Sequence, residues 1–476
     1  MKRSLTTLFA VLSAAICLSC SAISADKSIR VSGWNNGYAA NQQVDNGPAA
    51  AQKSRVWFQD RTQEIVDDAL TLIERNEREG APLDQRWYAF RRFGENLQYI
   101  LRAREVRFYG GREADVRSAI ASHYVSMIPF KVDQDPGDIR LFTARQDRDS
   151  FDIVIIGQNG KEVALKTVIR LVYLFKFMDE KLKPTFVGGL DSFLQRVKIF
   201  FSSITPQQEF ISFFHQYRIG DPDAVVIGFQ SDTRLFLKEA GIGDPERFSS
   251  DSLRINWYPN ANGKKVLLVS INGNRILASR AGDLIEAIFE TFRSPPQNLV
   301  FFGSAGAIDA TDLVGQIVAP TVVVNDDYFS PDRPTGKLVH IIRNRAATIV
   351  PVKTAHVSVK SIVVETMKWA AANKRNRILT VDQELFHVIN AINASPYGDK
   401  IRLFVGILVT DNVSVVQAHD EATLQYAEEI ITQTTAIRRA FLAKVLAEIG
   451  ITRDMPVITP SDTKTDERRN SAASGR

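Results

Sequence analysis

The chain has 476 residues, 45% apolar and 24% charged, with a formal net charge of +5. This is far from the composition of a disordered chain and leaves room for two or three domains, while so small a charge makes no electrostatic case for nucleic acid as a partner. Both cysteines, Cys17 and Cys20, fall in the first 25 residues, so a chain cut after them would hold neither a disulfide nor a thiolate metal site.

Lys2-Arg3, an apolar run from Leu8 to Leu18 and small residues from Ser19 to Ala25 follow the order of a secretory signal peptide, with cleavage positions after Ala22 or Ser24. Residues 1–25 are therefore expected to be removed on export to the periplasm or the medium. A lipoprotein anchored through Cys20 is the weaker alternative, because Cys17 stands where that signal needs an aliphatic residue. Residues 26–53, rich in Asn, Gly, Ala, Gln and Ser and without periodicity, suit a flexible leader. No later apolar run approaches 18 residues, so no membrane span is predicted.

From Ser54 to about Ile128 the apolar residues recur at helical spacing: Val56, Ile65, Ala69 and Leu72, then Trp87, Phe90, Phe93, Leu97, Ile100 and Leu101. Asp152-Ile-Val-Ile-Ile-Gly157 reads as a strand, followed by a long helix pattern from Val163 to Met178. Residues 54–220 thus predict a mostly helical amino-terminal domain of unassigned role. Arg86, Arg91, Arg92, Arg102, Arg104 and Arg107, interleaved with aromatics, offer an anion site or, more simply, a solvated helix face.

A second domain is expected over residues 222–452. Ala224-Val-Val-Ile-Gly228 opens it as an apolar strand, and Trp257-Tyr258 and Val266–Ser270 flank Asn262-Gly263 as a hairpin. Asp283–Phe292 reads as a helix. Further strands are predicted at Ile317–Val324, Ile349–Val352, Ile378–Val381 and Leu403–Val409, with helices at Gln383–Ile392 and Ala422–Glu448. This alternation predicts an α/β sheet flanked by helices. Residues 453–476 turn polar and charged, the composition of a disordered tail.

The stretch Leu299–Val318 organises this domain. A short apolar run reaches Gly303-Ser304-Ala305-Gly306, and small residues there would let backbone N–H groups approach a ligand; taken alone, the same run reads equally as a tight turn with no ligand. With Gly315-Gln316-Ile317-Val318, Val381-Asp382-Gln383-Glu384 and Val409-Thr410-Asp411, it resembles the nucleoside phosphorylase and nucleosidase superfamily, whose "GSAG", "VGD(I/V)V", "V(E/D)ME" and "(S/T)D" segments come in this order. The resemblance covers about residues 222–452. It implies a three-layer αβα domain of the nucleoside phosphorylase type, with the proton donor to the base at Asp411, the ribose-gripping carboxylate at Glu384, and backbone approach at Gly228 and Gly303–Gly306.

The same resemblance marks departures. The family's phosphate-binding "GDPxR" loop is here Gly228-Phe-Gln-Ser-Asp232-Thr233-Arg234, with Asp232 in the place of the arginine, and Phe301 stands where one branch has a second arginine. Asp232 is then the nearest candidate for the acidic residue that activates water in hydrolytic members. Gly243-Asp-Pro-Glu-Arg247 falls after a helix pattern and reads as a loop. Ile271 replaces a backbone-approach glycine, and Gln383 replaces a methionine that packs on the sugar. His340, His356 and His387 have no metal spacing.

The implied activity is hydrolysis of the N-glycosidic bond of a purine nucleoside or nucleotide, which needs no metal or organic cofactor. A non-catalytic nucleoside-binding or interaction protein on the same fold is the alternative, and a phosphorylase the third. The implied partner is a small-molecule nucleoside or nucleotide, with room for homo-oligomerisation.

Overall fold

The computed structural model describes residues 57–453 except 80–92, 94–96, 131–138, 146, 148–149, 158–160, 183–188, 251–252, 272–278, 309, 327–337, 360–364, 366 and 414–428. The expected signal peptide and leader, the expected tail beyond Arg453, and Trp87 and Phe90 of the expected second helix lie outside the described residues.

In the first half, strands β1 (Phe58–Asp60), β2 (Val106–Gly110), β3 (Ser126–Pro129), β4 (Ile139–Arg145), β5 (Phe151–Gly157) and β6 (Val197–Ser202) form one sheet in the order β1-β6-β2-β5-β4-β3. Its centre, β6-β2-β5, is parallel and its margins are antiparallel. Helices α1 (Thr62–Glu79), α2 (Leu97–Arg102), α3 (Glu113–Ile120), α4 (Lys161–Leu182) and α5 (Gly189–Gln195) connect and cover it, and α6 (Pro206–Gln216) follows and packs on the second sheet. Helical periodicity found α1 and α4, but of the six strands the sequence had marked only β5. Val106-Arg-Phe-Tyr-Gly110 is strand because its apolar side chains divide between two cores: Val106 and Phe108 join the cluster with α1 and α4, and Tyr109 joins Val116 and Ile120 of α3. The basic stretch ends in a similar correction, for Arg104 holds the buried Asp152 through Nε at 3.1 Å and a terminal nitrogen at 3.0 Å, and is not a free anion site.

The second half contains β7 (Ala224–Ile227), β8 (Glu246–Ser249), β9 (Leu253–Ala261), β10 (Lys264–Ile271), β11 (Asn298–Ala307), β12 (Ile317–Asp326), β13 (Leu338–Ile341), β14 (Lys353–Val359), β15 (Ile378–Asp382) and β16 (Arg402–Asn412), with helices α7 (Gln230–Glu239), α8 (Ser279–Thr291), α9 (Met367–Arg375), α10 (Leu385–Ala394) and α11 (Thr435–Glu448). Five strands close on themselves: β11 pairs β16, β16 pairs β12, β12 pairs β14, β14 pairs β15, and β15 returns to β11. From β11 the sheet continues outward through β7, β10, β9 and β8. The β9–β10 hairpin turns at Asn262 and Gly263, both at positive φ (53° and 81°), as an Asn-Gly type I′ turn requires.

Alternation along the strands builds three layers. Leu299 and Phe301 of β11, with Val405, Ile407 and Val409 of β16, pack against α6, α8 and α10, whereas Val300, Phe302, Phe404 and Leu408 pack against α7 and α11. The strand expected at Ile349–Val352 starts four residues later, at Lys353, because Asn344 claims the preceding segment for a short 3₁₀ turn over Arg345–Thr348. Its side chain accepts from Ala346 N and Val405 N and donates to the carbonyls of Pro320 and Val405.

All described residues fall within one compact unit. Helix α4 is buried on every side from Val163 to Phe175, Lys166, Thr167 and Arg170 included, so it has partners all round. One apolar cluster joins α4 and the first sheet to Ile308, Val324, Val357, Val359, Trp369, Val381 and Val413, several of them at the carboxyl ends of the ring strands. Among the described residues no helix is long and apolar enough to cross a membrane.

Candidate functional site

The run Gly303–Gly306 is not a turn. Strand β11 passes straight through it, paired with β16 on one side and meeting β15 at Gly306 on the other. Its glycines serve close approach: a Cβ on Gly306 would stand 2.5 Å from Cγ1 of Val413. β11 is buried along its length except at Gly303, which is half-buried, and Ser304, which is exposed; solvent therefore reaches the middle of a central strand at that point.

A bulge sets Asp411 beside this opening. Ala305 faces Val409 but Gly306 faces Asp411, so Thr410 is the extra residue of β16. The Thr410 hydroxyl donates to Asp411 Oδ1 at 2.8 Å, with the Ala305 carbonyl a longer alternative at 3.4 Å. Both carboxylate oxygens of Asp411 lie 3.6 Å from the point a Gly306 Cβ would occupy, so the carboxylate lies close against that glycine.

Glu384 approaches from the other flank. Because β15 runs antiparallel to β11, with Val381 opposite Gly306, the residues after Val381 head along Ala305 and Ser304. Glu384 is the N-cap of α10, half-buried, and its Oε2 accepts from the Gln383 N–H at 3.2 Å. The structure thus brings Gly303, Ser304, Ala305, Gly306 and Asp411 to one stretch of β11, and starts the segment that carries Glu384 beside Gly306.

Gly228 borders the same stretch. It follows β7, next to β11, with φ of 90°, and a Cβ there would fall on the Phe302 carbonyl, so only glycine fits. The following Phe229 is left-handed at φ 35°, an uncommon conformation for an aromatic residue, and forms the N-cap of α7. Gln230 secures the turn by donating to the carbonyls of Arg254 and Leu268.

Asp232 is placed differently. It lies in the first turn of α7 and its Oδ1 is 3.1 Å from a terminal nitrogen of Arg438 on α11. That guanidinium also stacks 5.0 Å from the centre of the Phe229 ring and donates to the Ile431 carbonyl and to the Thr434 and Thr435 hydroxyls. Asp232 is therefore half of a helix-to-helix ion pair. Arg438 was not singled out from sequence, where it stands beside Arg439 and its burial is set only by the distant Asp232 and Phe229.

A second group escaped sequence reasoning. His356, Ser358, Thr380 and Asp382 are all buried, on neighbouring strands β14 and β15. The alternation His-Val-Ser-Val over 356–359 was the available signal: it places two polar residues on one face of a buried strand. Among the described residues no group of three His, Cys, Asp or Glu side chains is placed to hold a metal ion.

No protein-family model matches the chain, and no curated protein does. Among solved structures the chain is similar to the 5′-methylthioadenosine nucleosidase of Arabidopsis thaliana, at 15% identity and a TM-score of 0.38 over 51% of this chain and 99% of the other. It is also similar to the 5′-methylthioadenosine/S-adenosyl homocysteine nucleosidase of Campylobacter jejuni (13%, 0.37, over 48% and 99%) and to the futalosine hydrolase of Helicobacter pylori (13%, 0.36, over 47% and 97%).

Proposed function

We propose that the second half of the chain binds a purine nucleoside or nucleotide over Gly303–Gly306 and hydrolyses its N-glycosidic bond. The observation that carries this reading is the single opening on β11, at Gly303 and Ser304, with Asp411 against one flank and Glu384 approaching the other. Cleaving this bond requires a proton for the departing base and a ribose held firmly while it gains oxocarbenium character. Asp411 is assigned the first task and Glu384 the second. The Thr410 hydroxyl, donating to Asp411 Oδ1 at 2.8 Å, helps to fix the carboxyl.

One observation favours the alternative of a nucleoside-binding protein without turnover. Asp232, the candidate for activating water, has its Oδ1 committed to the guanidinium of Arg438 at 3.1 Å. Incubating the protein with a panel of purine nucleosides and nucleotides, with and without phosphate, separates the readings. Free base plus ribose supports hydrolysis, ribose 1-phosphate a phosphorylase, and saturable binding without products the non-catalytic protein. No binding at all would remove the site.

We also propose that the protein is exported to the periplasm or the medium, on the strength of its first 25 residues. Mass spectrometry of the secreted form should then find an amino terminus between Ile23 and Asp26. A diacylglycerol-modified Cys20 would instead make it a lipoprotein.

A further inference from the structure

We propose that Asp382, held by Ser358 and flanked by His356, is the positioning device of Glu384, the residue that fixes its carboxylate over the opening on β11. The proposal rests on the reading of Glu384 as the ribose grip. Asp382 is 7% exposed and ends β15, two residues before Glu384. Its Oδ1 accepts from the backbone N–H of Glu384 at 3.1 Å and from the Ser358 hydroxyl at 2.6 Å; its Oδ2 accepts from Leu385 N at 3.1 Å. Ser358 in turn accepts from Phe386 N at 2.9 Å.

Three consecutive N–H groups at the start of α10, those of Glu384, Leu385 and Phe386, are thereby bound to two side chains on neighbouring strands. A helix start leaves these groups without intrahelical partners, and here their partners are rigid. Ser358 and Asp382 face each other across the β14–β15 ladder, as His356 and Thr380 do one step earlier. Nδ1 of His356 shares a hydrogen with the Thr380 hydroxyl at 2.9 Å, while its Nε2 lies 2.9 Å from Asp382 Oδ1 without the alignment of a hydrogen bond. The imidazole therefore limits how far Asp382 can move. Glu384 makes no side-chain cap; its backbone N–H is held by Asp382, and its Oε2 accepts from Gln383 N.

A helix cap of purely structural value would lower stability without caring what residue 384 is. A positioning residue acts through Glu384, and a double-mutant cycle separates the two. In the full chain, with adenosine, inosine and guanosine as probes, Ser358→Ala and Asp382→Asn should each raise KM and lower kcat/KM by roughly 10–100-fold, the range for residues that orient a functional group. Asparagine at 382 would turn an amide donor toward one of the N–H groups, so it breaks the arrangement at nearly constant size. In a Glu384→Gln background both substitutions should change KM by less than about twofold, and Ser358→Thr, which keeps the hydroxyl, should restore the parent KM. If Asp382→Asn does not fold, the Ser358→Ala and Ser358→Thr pair decides the matter alone. Equal losses with and without Glu384, accompanied only by a lower melting temperature, would overturn the proposal and leave the functional reading standing. A parent protein that neither binds nor cleaves any of the three nucleosides would overturn both.

Discussion

Each half of the chain buries a carboxylate at the end of a parallel strand, and the two are neutralised by opposite means. Asp152 is the second residue of β5 in the first sheet and is fully buried; Arg104 grips it with two hydrogen bonds, Arg107 stands 3.5 Å away and the Tyr124 hydroxyl donates at 2.9 Å. Burial and the neighbouring Asp152 push the Tyr124 hydroxyl well above its usual range. Asp382 ends β15 in the second sheet and is served by backbone N–H groups and a hydroxyl, with an imidazole beside it. Cations saturate a carboxylate and lock it into the scaffold. Dipoles at a helix start stabilise the charge and at the same time orient the next residues of the chain. The first arrangement is a clamp, whereas the second borders a surface that solvent can reach.

The comparison is sharpest where the halves meet, and the largest effect is expected there. Cutting the chain near Asp223 would strip α4 from Ile308, Val324, Val357, Val359 and Val413, leaving a contiguous apolar face on the fragment 222–452. That fragment should aggregate or melt without cooperativity when expressed alone, and co-expression with residues 54–220 should restore a soluble complex. A monomeric fragment with a sharp thermal transition would show that the two halves are independent and that the change of sheet is also a boundary of stability.

Within the second half, Asp411→Asn should lower turnover of a purine nucleoside by roughly 10²–10⁴-fold while binding falls much less, since a general acid matters mainly in the transition state. Glu384→Gln should weaken binding and rate together. Unchanged turnover in Asp411→Asn would return this carboxylate to the same scaffold class as Asp152.

In the first half, Asp152→Ala should cost about 2 kcal/mol of stability, because the buried Tyr124 hydroxyl loses its acceptor, while Arg107 keeps its hydrogen bond to Glu105 at 2.7 Å. Arg104, whose side chain is 44% exposed, can turn to solvent and contributes little to that loss. Chemical denaturation of the full chain measures the difference, and nucleoside binding by the surviving folded fraction should be unchanged.

Much of the second half was legible in the sequence for a physical reason. Its buried parallel strands are unbroken apolar runs such as Leu299–Phe302 and Leu403–Val409, its hairpin turn is Asn-Gly, and its carboxylates sit at strand ends where chemistry is usual. The first half was less so. Its strands are short, and Val106–Gly110 or Ser126–Pro129 show themselves only through pairing with distant partners. The glycine run 303–306 was misjudged because a glycine spared for close packing and a glycine spared for a turn look alike until Val413 and Phe301 are in place. Asp232 suffered from the same blindness to long range, since Arg438 lies 206 residues away.

The smallest expected effect tests whether charge is also left partly unsatisfied at the junction of the halves. On α8, Arg280 is 3% exposed and lies 3.6 Å from Glu209 of α6, while Ser279 donates to Glu162 at the start of α4. Asp283 stands one turn further along α8, where burial pushes its carboxyl up to about 6, Arg280 pulling it down and Glu286, Glu162 and Glu209 pushing it up. In the unfolded chain the same group titrates near 3.8. Below pH 4 both states hold the proton and Asp283 costs nothing. Between pH 4 and pH 6 the unfolded state loses it first, so stability falls as pH rises, and above pH 6 the full penalty remains. Asp283→Asn removes a group that must ionise, so the variant should match the parent at pH 4 and exceed it by about 1 kcal/mol at pH 7.5, a figure reduced for partial solvent exposure. Denaturant titrations at the two pH values make the comparison. A gain of equal size at both would mean that asparagine improves packing or hydrogen bonding and that Asp283 carries no excess charge cost, in which case the junction is as well neutralised as Asp152.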